Sequence, residues 1–100
     1  MPILETLIFL FGSALAAAAV VSIAYLAIST VRNYLRERRA RNVNKEAVIM
    51  NEQLASGKVK VVTGFFDKED EELSDVQVWE ADDVDSEIAG MKDGKVVIVR

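Results

Sequence analysis

LIFLFGSALAAAAVVSIAYLAISTV, residues 7–31, runs for 25 positions without a charged side chain. About 20 consecutive apolar residues suffice for a helix to cross a hydrocarbon core of roughly 30 Å, so the length of the run predicts a transmembrane helix. A cleavable signal peptide is the competing reading, since Ala14-Leu15-Ala16 offers a small-x-small pattern. The leading MPILET, residues 1–6, carries no Lys or Arg, and the apolar run is longer than a signal core, which favours an anchor.

Working outward, the next residues explain half of the chain's positive charge. Arg32, Arg36, Arg38, Arg39, Arg41 and Lys45 are six of the twelve basic side chains in a protein of formal net charge −4. Basic residues flanking a span are retained on the cytoplasmic side. The expected placement is an integral single-pass membrane protein with its N-terminus outside and its C-terminus cytoplasmic. In this reading residues 32–45 form a basic collar. Arg32, Arg36, Arg38, Arg39 and Arg41 contact lipid headgroups, and Tyr34 acts as an interfacial anchor. Nucleic acid is not an expected partner, because Tyr34 is the only aromatic side chain in the block and the following region is acidic.

NYLRERRAR contains no Gly or Pro, so the helix is predicted to continue to about Arg41 and to break at the AsnValAsn of 42–44. A second helix is expected over 45–57, with Ala47, Met50 and Leu54 on one stripe and Gly57 as its stop. Beyond it the period becomes extended. KVKVVTGFF, residues 58–66, places Val59, Val61, Thr63 and Phe65 on one face and Val62 and Phe66 on the other, with Gly64 marking a bulge or a close approach. SDVQVWEA, residues 74–81, and KVVIVR, residues 95–100, read as further strands, with a short helix in DDVDSEIAGM between them. The first two strands suit a hairpin around the acidic connection. The last strand, apolar on both faces, suits the interior of a sheet, with room for a parallel crossover. The expected fold is therefore an α+β membrane protein: a tip at 1–6, a span at 7–31, a collar at 32–45, and a small acidic domain at 46–100 of about three strands and two short helices.

Chemistry is constrained by what is missing. The chain has no His and no Cys, which excludes an imidazole base, a thiolate nucleophile and ordinary zinc sites. Its five glycines are too scattered to cradle a phosphate. Neither catalysis nor a cofactor or metal is expected. Asp83-x-Asp85-x-Glu87 resembles the start of a calcium loop, but Ile88 and Gly94 stand where that loop needs Gly and Glu. Residues 46–100 carry fourteen acidic and six basic side chains. Asp67, Glu69, Asp70, Glu71 and Glu72, with Trp79, are the candidate docking residues for a partner, including a basic soluble protein.

Within the apolar run, Gly12, Ser13, Ala16, Ala17 and Ala19 supply small residues at helical spacing, a pattern that lets helices pack closely. A second membrane protein, or another copy of the chain, is the expected partner of that stripe. The order of short tip, single span, basic collar and small β-rich domain resembles that of small accessory subunits of protein translocases, such as the YajC family. The functional expectation is a non-enzymatic accessory or assembly subunit of a larger membrane complex, packing through its helix and docking a partner with its acidic domain. The alternative is a tether or regulator that recruits a soluble protein, or weakly binds cations, through the acidic domain.

Overall fold

In the computed structural model, which describes residues 19–99, the described part of the apolar run, residues 19–31, is not one helix, and residues 7–18 of the expected span lie outside the described residues. Val20–Leu26 form strand β1 and Ile28–Arg38 form helix α1, with Ala27 extended between them (φ −93°, ψ 148°). The β-branched residues Val20, Val21 and Ile23 favour the pleated conformation. No helix among the described residues is long and apolar enough to cross a membrane. This corrects the expected single transmembrane helix running into a juxtamembrane helix. The single-pass placement, with N-terminus outside and C-terminus cytoplasmic, is not supported either, and the translocase-like layout loses its central feature. Hydropathy summed over 25 residues does not register a change of period. Residues 20–26 form an edge strand, with Val20, Val21 and Tyr25 largely exposed, whereas Ile28 and Val31 are apolar because they pack on the sheet.

The chain forms a small α+β domain with a five-stranded mixed sheet and, among the described residues, two helices. After α1 come a 3₁₀ turn (Arg39–Asn42), β2 (Glu46–Gln53), β3 (Val59–Asp67), β4 (Glu72–Val84), the one-turn helix α2 (Ser86–Ala89) and β5 (Val96–Ile98). The strand order is β1-β4-β3-β2-β5. β1 runs parallel to β4, and the remaining neighbours are antiparallel.

The expected helix over 45–57 is β2. Ala47, Val48, Ile49 and Met50 are buried consecutively, which requires cover on both faces and suits an inner strand better than a helix stripe. Asn44 takes a left-handed conformation (φ 69°) in the turn before β2, and Gly57 (φ 92°) closes the β2–β3 hairpin instead of ending a helix. The helical reading of NYLRERRAR does hold as far as the 3₁₀ turn, and so does the break beyond Asn42. β5 pairs antiparallel with β2 at the edge of the sheet, and so it is neither internal nor parallel to β4.

The two faces of β3 separate as its alternation predicts. Val59, Val61 and Phe65 join Ala47, Ile49, Trp79 and Ala81 beneath α1, where Ile28, Val31 and Leu35 lie at helical spacing. Burying each of these aliphatic side chains stabilises the fold by about 1.5–3 kcal/mol. Ile88 pins α2 to the same cluster. Val48, Met50, Val62, Phe66, Val78 and Val96 form a second cluster, to which only strand residues contribute among those described. Opposite Gly64 the β3–β4 register shifts, two residues of β4, Asp75 and Val76, facing this one glycine; the bulge is in β4 and Gly64 marks the close approach. A Cβ there would sit 3.2 Å from both the Ser74 carbonyl and Val76 Cγ2.

Candidate docking groove beside the first helix

Because Ile28, Val31 and Leu35 take the sheet side of α1, Arg32 and Arg36 are left on its flank, and the 3₁₀ turn adds Arg39. The two ends of α1 and its 3₁₀ extension are held by carboxylates, one from the residue after β4 and one from β4 itself. At the N-terminal end, Ala27 has no side chain able to cap the helix. Asp85 supplies the acceptor instead: its Oδ2 takes the Ile28 N–H at 2.7 Å and its Oδ1 takes the Ile88 N–H at 3.0 Å. One carboxylate thus caps α1 and α2 together. The hydrogen bond from Ile28, then that from Ile88, holds the Asp85 carboxyl below its ordinary value. Arg32 pairs with Glu87 of α2 at 2.7 Å.

At the other end, Asp75 occupies the bulge opposite Gly64 with a left-handed backbone (φ 49°). Asn42, 1% exposed, donates from Nδ2 to Asp75 Oδ2 and to the Arg38 carbonyl, each at 2.8 Å. Its Oδ1 accepts from Ser74 Oγ at 2.6 Å. Arg41 donates to Asp75 Oδ1 at 2.7 Å, and the Tyr34 hydroxyl donates to the Asp75 carbonyl at 2.7 Å. The Asn42 hydrogen bond, followed by the Arg41 guanidinium, draws the Asp75 carboxyl below its usual range, while burial raises the Tyr34 hydroxyl.

Beside α1 lies a groove of about 290 Å³. Its floor is Leu35, Ala47, Phe65 and Val99, and its rim is Arg32, Arg36 and Arg39. The Arg39 guanidinium lies 5.6 Å from the Phe65 ring centre and donates to the Lys45 carbonyl at 2.8 Å. Arg36 donates to Asn33 Oδ1 at 3.1 Å. Among the described residues, neither Arg36 nor Arg39 has a carboxylate partner. Guanidiniums bind carboxylates in a two-pronged fashion, and the floor beneath them offers an apolar seat.

The residues singled out in the sequence are therefore dispersed. Gly12, Ser13, Ala16 and Ala17 lie outside the described residues, and Ala19 is exposed immediately before β1. Of the basic block, Arg32, Arg36 and Arg39 meet at the groove, whereas Arg38 stacks 3.7 Å over the Tyr34 ring and Arg41 is engaged by Asp75. Tyr34 is fastened to the sheet, edge-on to Trp79 at 5.6 Å and 82°. Trp79 itself is only 6% exposed. Asp67 ends β3 and turns its carboxylate to the Glu69 and Asp70 N–H groups, closing the hairpin. Glu69, Asp70, Glu71 and Glu72 are exposed there. Among the described residues no cluster of three or more acidic side chains is arranged to hold a metal ion.

Sequence reasoning missed the floor of the groove and both clamps. Phe65 and Ala47 were visible as buried-face residues, but their meeting with Arg39 depends on how α1 crosses the sheet. An Asp directly before a short helix was the one available signal for Asp85. No protein-family model matches the chain, and no curated protein or solved structure matches it either.

Proposed function

We propose that the domain is a non-enzymatic docking module, an accessory or assembly subunit, that seats an acidic segment of a partner protein in the groove beside α1. The observation that carries this reading is the rim of three guanidiniums over an apolar floor, two of them without a carboxylate partner among the described residues. A volume of about 290 Å³ accommodates one or two apolar side chains, with flanking carboxylates reaching the arginines. Glu87 already shows the type of contact Arg32 makes. The test is fluorescence anisotropy with a labelled ten-residue peptide alternating Glu with Leu and Phe, against the same peptide with Lys for Glu. The acidic peptide binds, weakens with added salt, and loses at least about tenfold in affinity on the Arg36→Glu, Arg39→Glu double variant. Equal binding of the two peptides, or an unaffected double variant, defeats the reading.

A second reading is recruitment of a basic partner by the turn Glu69–Glu72, favoured by the exposure of its carboxylates. It predicts the opposite peptide preference, and sensitivity to Glu69→Lys with Asp70→Lys.

A further inference from the structure

β1 differs from an ordinary edge strand. It borders the sheet and, among the described residues, pairs only with β4. Its seven residues, VVSIAYL, include no charge and no Pro, and three of its large apolar side chains stand in solvent: Val20 at 50%, Val21 at 44% and Tyr25 at 52% exposure. Edge strands of stable monomers are commonly blunted by charges, prolines, bulges or shortness. The opposite edge follows that rule, since β5 has only three residues and is preceded by Lys95.

A second groove, of about 330 Å³, opens beside β1 between the strand and α1. Val21, Tyr34 and Trp79 line its apolar part, and Asn33, Glu37 and Arg38 its polar part. Glu37 and Arg38 lie 3.5 Å apart and cancel. Unlike the arginine-rimmed groove, this one is neutral, as is the strand beside it.

From this we infer that β1 is the contact of a two-fold homodimer, in which two copies of β1 pair antiparallel and extend the sheet. An isologous contact sets a surface against itself, so any charge on it meets its own like. An uncharged strand beside a neutral groove satisfies that condition, whereas a charged partner would find no complement there. Antiparallel pairing carries Tyr25 of one copy to the Val21 end of the other, where the neutral groove can receive an aromatic ring. The backbone groups along the outer side of β1 then gain hydrogen-bond partners.

Sedimentation equilibrium of the full chain tests the proposal, with hydrogen exchange as a second readout. The wild type sediments as two copies of 11.0 kDa, and the amides of Val20–Leu26 exchange more slowly as concentration rises. Val21→Lys and Tyr25→Lys each raise the dimer dissociation constant at least about tenfold, while Arg36→Glu with Arg39→Glu leaves it unchanged. Near-UV circular dichroism of Trp79 verifies folding, and Tyr25→Ser replaces any lysine variant that loses that signal. A wild type that stays monomeric to about 1 mM overturns the proposal, as does a dimer indifferent to both β1 substitutions or one dissociated through the arginine groove.

Discussion

The two sides of α1 carry the same residue type to different ends. On the side of Tyr34, basic side chains are spent within the fold: Arg38 stacks on Tyr34, and Arg41 binds an Asp75 that Asn42 also holds. On the groove side, among the described residues, Arg36 and Arg39 donate only to neutral acceptors, Asn33 and the Lys45 carbonyl. A run of arginines is thus not one motif. The acceptors that the sheet places opposite each guanidinium decide whether it is structural or available, and Asp75 exists on only one side.

The strongest way to break this comparison is at Asn42. Asn42→Leu keeps the volume but removes four hydrogen bonds around a buried amide, one of them to a carboxylate and one, from Lys45 at 3.5 Å, long. A loss of about 3 kcal/mol in urea denaturation is expected. A loss under about 1 kcal/mol means that the Asp75 side is no more structural than the groove side. Next comes Asp85→Ala, which uncaps both helices at once and is expected to lose about 2 kcal/mol, with Asp85→Asn less affected because its single amide oxygen still caps one of the two.

A smaller and reversible effect follows from pH. Asp75 and Asp85 both titrate below their ordinary 3.8 when folded, so the folded chain binds protons less readily than the unfolded one. The stability they contribute is complete above that value and declines as pH falls through the depressed ones. Denaturation midpoints from pH 5 to pH 2 check this: Asp85→Asn removes one titrating group and flattens the slope, and an unchanged slope would count against the cap. The smallest expected stability effect is that of Arg36→Glu with Arg39→Glu, which costs under about 1 kcal/mol while weakening peptide binding at least about tenfold. A large loss of stability there would show that the groove arginines, too, belong to the fold.

Legibility in the sequence tracked how local the deciding interactions are. β3 was readable face by face, because its alternation of Val59, Val61 and Phe65 against Val62 and Phe66 needs only a period of two. Gly64, the β3–β4 hairpin and the short helix after Asp85 were readable for the same reason. EAVIMNEQ was not, since Ala47 and Met50 fit a helix stripe as well as a strand, and only pairing with β3 on one side and β5 on the other decides between them. Half of the groove was legible: the arginines were conspicuous, but their apolar floor draws on β2, β3 and Val99, which no spacing rule connects.

The sequence by itself determined which residues are apolar, where the charges change sign, that α1 is followed by a break near Asn42, and how β3 divides its two faces. Tertiary structure alone decided the conformation of residues 19–31, the described part of the apolar run. Its composition satisfies a lipid environment and a sheet equally well, because both ask only for low polarity. What separates them here is the β4 backbone, running parallel beside Val20–Leu26 and supplying hydrogen bonds that a helix would have found within itself.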